Sequence, residues 1–101
     1  MNTTFSKDDK TMVMAFEGKL DTAASSQVEK DMQVLRDCEG YDIVLDCTHL
    51  EYISSSGLRL FLGVVKNAKM HGSGVALRGL SADLLQMFDE IGFTRLFTIE
   101  P

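Results

Sequence analysis

The residues with the widest chemical repertoire lie in one stretch, Asp46-Cys47-Thr48-His49-Leu50-Glu51-Tyr52-Ile53-Ser54-Ser55-Ser56-Gly57. Its end is the most suggestive part. Three hydroxyls and a glycine stand where a long apolar segment of helical spacing, Gly57 to Met70, begins. Serine suits such a junction because its oxygen accepts a hydrogen bond from the free amides of the first helical turn. A phosphate suits it for the same reason, with the positive end of the helix dipole added. On residue chemistry alone the triple serine reads as a cap or as a switch.

Other chemistries are weaker. Ser56, His49 and Asp46 supply the residue types of a hydrolase triad, but the chain has no Gly-x-Ser-x-Gly elbow. Cys47 and His49 are two ligand types without a second Cys/His pair, too few for zinc. Gly72 and Gly74 lie too far from a strand-to-helix junction to cradle a phosphate. Asp46 is expected to accept loop amides. Met12, Met14, Met32 and Met87 read as core filler. No cofactor and no metal are expected.

The elements that position the serines follow from periodicity. Thr3 to Lys7 and Met12 to Phe16, joined by a polar turn, predict an antiparallel hairpin. Asp21 or Thr22 is placed to cap a helix reaching about Cys38. Its buried stripe is Ala24, Val28, Met32 and Leu35, and Gly40 is placed as its C-cap. Asp42 to Asp46 is a strand, followed by a polar connection and the helix to Met70. After the turn at His71-Gly72-Ser73-Gly74 come a strand, Val75 to Arg78, and a helix capped by Ser81 with the stripe Leu84, Leu85, Phe88 and Ile91. Gly92 ends that helix, and Arg95 to Ile99 is a last strand. Strands separated by helical crossovers pair in parallel. The prediction is an α/β fold: a mixed, mostly parallel sheet of four or five strands with an N-terminal hairpin, about three main helices, and unequal cover of its two faces. Sites on such sheets gather at the carboxyl ends of strands, where both Gly18 to Asp21 and Ser54 to Gly57 fall.

Composition narrows the function. The 101 residues, 45% hydrophobic and 25% charged, are those of one ordinary folded domain spanning 1–101. A net charge of -5 with scattered Lys and Arg argues against a nucleic-acid surface, so proteins are the expected partners. No run approaches the roughly 18 apolar residues of a membrane span. The N-terminal MNTTFSKDDK lacks the design of a signal peptide, and Cys38 and Cys47 form no disulfide framework; a cytoplasmic location is expected.

Four stretches carry a likeness: Gly18-Lys19-Leu20-Asp21, Ile43-Val44-Leu45-Asp46, Tyr52-Ile53-Ser54-Ser55-Ser56-Gly57-Leu58 and Phe88-Asp89-Glu90-Ile91-Gly92-Phe93. In them the chain resembles the STAS domain family, the bacterial anti-sigma factor antagonists. The resemblance implies a protein substrate and not an enzyme. An unphosphorylated antagonist of that family binds an anti-sigma factor that is also a serine kinase, which frees a sigma factor. Phosphorylation of the serine before the glycine abolishes binding, and a PP2C-type phosphatase resets the switch. By position the acceptor is Ser56, with Ser55 beside it and Asp21 on the partner-facing edge. Ser54 departs from the pattern, since many such antagonists carry Asp there. The alternative within the fold is a non-catalytic interaction module, a scaffold or lipid-transport accessory subunit, in which Ser56 only caps a helix. If Leu58, Phe61, Val65 and Ala68 face the sheet, then Arg59, Gly63, Lys66 and Met70 point outward with Leu60 on the flank. The expected partner-binding set is Asp21, Ser54, Ser55, Ser56, Gly57, Arg59, Leu60 and Gly63.

Overall fold

The computed structural model describes residues 1–101. Strands β1 (Asn2–Lys7) and β2 (Thr11–Leu20) form the hairpin, pairing from Asn2 with Glu17 to Lys7 with Met12. Asp8 builds its turn. The carboxylate accepts from the Lys10 and Thr11 amides at 2.9 and 2.8 Å, and these bonds hold the acid below its ordinary range.

The remaining elements alternate: α1 (Thr22–Asp31), β3 (Asp42–Ile53), α2 (Ser55–Met70), β4 (Val75–Arg78), α3 (Ala82–Glu90) and β5 (Thr98–Glu100). Spatial order repeats chain order, β1 to β5, with only the first pair antiparallel. Right-handed crossovers taken always in one direction place all three helices on one face of the sheet. Burial agrees with that geometry. Met12, Met14 and Phe16 of β2, Ile43, Leu45 and Cys47 of β3, and Leu77 of β4 share one core with Val28, Phe61, Ala68 and Phe88 of the helices. Val44 and Ala76, one position out of phase, lie on the face without helices and outside that core. A chain of rings, Phe16–Phe61–Phe88–Phe93–Phe97, runs through the core with centroids 5.2, 6.3, 5.9 and 6.3 Å apart.

Several expectations change. The central strand continues to Ile53 instead of stopping at Asp46, so the segment read as a polar connection is sheet. Its buried residues there, Cys47, Leu50 and Ile53, recur every third position and not every second. The cause lies in the pairing: β2 spends Ala15 to Glu17 against Asp46 to His49, and Gly18 to Lys19 against Leu50 to Tyr52, so β3 bulges twice by one residue. The first helix is α-helical only to Asp31 and tightens to a 3-10 turn over Met32–Arg36. At three residues per turn, Met32, Leu35 and Cys38 stay on the core side. Gly40, at φ +85°, therefore belongs to the next turn, closed by the Tyr41 amide on the Cys38 carbonyl at 2.9 Å, and is no C-cap.

The second long helix begins at Ser55 with Ser54 as its cap, and not at Gly57. Its fully buried positions are Gly57, Phe61, Val64 and Ala68; Leu58 and Val65 only flank the core. Near the end, Gly92 (φ +81°) stops α3, leaving Ile91 47% exposed and not in the stripe. A 3-10 turn over Phe93–Arg95 then sets Phe93 against Phe88, so the last strand starts at Thr98 and not at Arg95.

Candidate functional site

The carboxyl ends of β2 and β3 finish side by side. Leu20 is paired with Ile53, and the Ser54 amide donates to the Leu20 carbonyl at 2.8 Å. A helix starts from each end with the same local chemistry. Asp21 Oδ1 accepts the Ala24 amide at 2.9 Å, and Ser54 Oγ accepts the Gly57 amide at 3.2 Å. Both caps have extended backbone, φ -87° and -85°. Neither helix has an acid in its first turn, so the two positive helix ends stand adjacent with only their caps to offset them.

The three serines divide their tasks. Ser54, 7% exposed, is the one buried polar side chain, and its hydroxyl does the capping. Ser55 is exposed on the first helical position and Ser56 half-buried on the second. The cap function offered above for Ser56 is thus Ser54's, and the Ser56 hydroxyl is left without it. Gly57 is buried because the helix lies directly on the sheet end. A Cβ there would meet Ile53 Cγ1 at 2.7 Å and Leu20 Cγ at 2.8 Å. The glycine after Ser56 therefore sets how close α2 approaches the two strands, and with it the position of the serines.

Arg59 follows Ser56 by one turn and is exposed. Together with Leu60 and Gly63 it lines a groove of about 170 Å³ between α2 and the end of the first helix. Arg59, Leu60 and Gly63 are thus brought together as expected from helical spacing. The opposite wall, Met32, Leu35 and Arg36, was not foreseen: Met32 and Leu35 carry a core signal, and nothing local shows that their far edges border a cleft. Tyr52 borders the same edge. It sits at the end of β3 opposite Lys19, 49% exposed, two residues before the cap.

The hydrolase set does not assemble. Asp46 Oδ1 accepts from the Thr48 amide and hydroxyl within the strand, at 3.1 and 2.6 Å, and not from the amides of a loop. His49 lies four residues before the strand end, roughly 13 Å of extended chain from Ile53. Burial pushes the Cys47 thiol up to about 12, with the Asp46 charge adding to the effect, so it stays protonated and inert. His, Cys, Asp and Glu side chains gather nowhere in a group of three or more suited to a metal. No helix is long and apolar enough to cross a membrane.

Comparison with known proteins places these features. The STAS domain profile matches residues 2–101. The chain is 29% identical over 83 residues to an anti-sigma-B factor antagonist of Listeria monocytogenes, covering 82% of this chain and 73% of that one. Its fold superposes on the anti-sigma factor antagonist SpoIIAA in its unphosphorylated form with a TM-score of 0.75 at 19% identity, over 97% of this chain and 86% of the other. It matches the phosphorylated form of SpoIIAA with a TM-score of 0.74, also at 19% identity, over 97% and 90%. With the sheet order, the two capped junctions and a profile spanning nearly every residue in agreement, this chain belongs to the STAS domain family.

Proposed function

We propose that the chain is an anti-sigma factor antagonist: unphosphorylated, it binds an anti-sigma factor that is also a serine kinase, and phosphorylation of Ser56 ends that contact. The observation that carries this reading is the division of labour among the serines. Ser54 caps the helix, so Ser56 is free to be modified without loss of a bond the fold needs. The residue that departs from the family pattern, Ser54, still performs the cap, and its burial favours a neutral hydroxyl over a carboxylate. The relatives named as antagonists point the same way, and SpoIIAA exists in both phosphorylation states with similar likeness to this chain.

A phosphate on Ser56 adds a charge of about -1.5 to -2 at the second residue of a helix, where the dipole tolerates it. The architecture has no reason to change. A partner surface fitted to a neutral hydroxyl must instead desolvate or expel a dianion, and a loss of about 3 kcal/mol weakens binding more than a hundredfold. Asp21, Ser55, Arg59, Leu60 and Gly63 form the surrounding contact surface; Ser54 and Gly57, expected in that set, are buried beneath it and position it. A PP2C-type phosphatase would reverse the modification, and the cycle would run in the cytoplasm.

The test is direct. The chain is incubated with ATP and the anti-sigma factor kinases of its own genome, and the modified residue is mapped. Transfer to Ser56 is expected. Ser56→Asp should unfold at the same temperature as the parent while losing the anti-sigma factor, and Ser56→Ala should bind and resist phosphorylation. Undiminished binding by Ser56→Asp removes the electrostatic switch and leaves the scaffold reading.

A further inference from the structure

The groove between the first helix and α2 has a charge pattern at odds with the rest of the chain. The protein as a whole carries -5, yet Arg36 and Arg59 both line this cleft, and both are exposed. Neither has an acidic partner: the chain's ion pair within 4 Å joins Arg78 to Glu100, on the far side of the sheet order. Glu29, which also lines the groove, approaches neither arginine closely enough to pair. Between the arginines the walls are apolar, from Met32, Leu35, Leu60 and Val64. Gly63 is exposed, and a Cβ there would meet nothing within 4 Å, so the α2 wall is open to an approaching backbone. A cavity of about 170 Å³ takes one large apolar side chain, or two small ones.

We infer that this groove receives a short segment of the anti-sigma partner that pairs an apolar anchor with carboxylates, and that Arg59 is contested between those carboxylates and the phosphate on Ser56. The inference rests on the function proposed above. Two unpaired guanidiniums flanking an apolar floor select an occupant with apolar surface between negative charges, because an apolar ligand alone leaves the arginines without partners and an acidic one alone leaves the floor empty. Residues three apart on a helix are neighbours, so a phosphoserine at 56 lies within reach of the Arg59 side chain. Phosphorylation would then act twice. It places a dianion at the interface, and it draws away a cation that the partner's acid requires.

Two measurements test this, on the full chain and its anti-sigma factor kinase. In the first, binding of the kinase is compared for wild type, Arg36→Glu, Arg59→Glu and the double variant; all change exposed residues, and circular dichroism checks their folding. Each single reversal is expected to weaken binding about tenfold to thirtyfold, with charge-reversed acids on the kinase restoring it. Wild-type binding that survives both reversals overturns the groove inference and leaves the antagonist reading intact. Absence of wild-type binding overturns the antagonist reading and the occupant with it. In the second, the chain carrying phosphoserine at 56 is titrated by phosphorus NMR, without any partner. Capture by Arg59 should hold the phosphate's second ionisation below its usual value of about 6, and Arg59→Gln should raise it by about half a unit. Identical titration curves overturn the contest for Arg59.

Discussion

The two strand-to-helix junctions at Asp21 and Ser54 share a design and differ in each residue that matters. Both start a helix beside the same pair of strand ends, and both caps bond the amide three residues on, Ala24 in one case and Gly57 in the other. At the first junction the cap is an exposed acid, and the positions corresponding to Ser56 and Gly57 hold Ala23 and Ala24. At the second the cap is buried and neutral, Ser56 adds a hydroxyl where the first has Ala23, and the glycine is pressed onto Ile53 and Leu20. The difference shows how depth decides side-chain chemistry. At the surface an acid caps the helix, whereas at the buried junction of this chain a neutral hydroxyl does so and the helix above it gives up a Cβ.

The strongest way to break the comparison is to give the second junction the first one's residue. Gly57→Ala adds a methyl in contact with two side chains of the core, and Gly57→Val adds more. A loss of about 2 kcal/mol for Ala and more for Val is expected by denaturant melts, since overpacking of this kind typically costs 1–3 kcal/mol. Ala24→Gly at the other junction should lose no more than about 1 kcal/mol, the helix propensity difference. Equal losses would mean that the close approach at Gly57 has slack.

The caps come next. Ser54→Ala leaves the Gly57 amide buried without its partner, for which about 1.5–2 kcal/mol is expected. Asp21→Ala exposes the Ala24 amide to water and should cost about 0.5–1 kcal/mol. If the exposed cap proves the dearer of the two, burial is not what separates them.

Smaller effects sharpen the picture. Cys47, buried and held near 12, should resist thiol reagents at pH 8 in the native chain and react once denaturant is added. At Asp8 the folded acid ionises more readily than the unfolded one. The hairpin turn's contribution is therefore present above the unfolded carboxylate range and lost as pH falls through the lower, folded value; Asp8→Asn should flatten that dependence slightly.

Much of this was legible in the sequence, and for physical reasons. The apolar runs at Met12 to Phe16, Ile43 to Leu45 and Val75 to Leu77 are buried strands, and Asp21 and Ser81 cap the helices they precede. Asp21, Ser54 and Ser56 do converge on one edge, because parallel strands joined by helices bring their carboxyl ends together. What escaped depends on pairing between distant segments. The extension of β3 to Ile53 arises from bulges against β2, which turn the pattern of burial to every third residue and disguise a strand as a loop. The shift to a 3-10 turn at Met32 and the groove it forms with α2 likewise depend on contacts across the fold. Ile91 followed the right spacing, but Gly92 ended the helix before that spacing could bury it.

The agreement of strand order with chain order bears on how the molecule is made. Each strand's first neighbour precedes it, so a chain leaving the ribosome can zip its sheet from one end to the other, never holding a gap open for a segment still to be synthesised. The last strand to dock is also the shortest, three residues against an exposed edge. Amide exchange should accordingly be fastest at Thr98 to Glu100 and slowest where Ile43 to Leu45 is flanked on both sides.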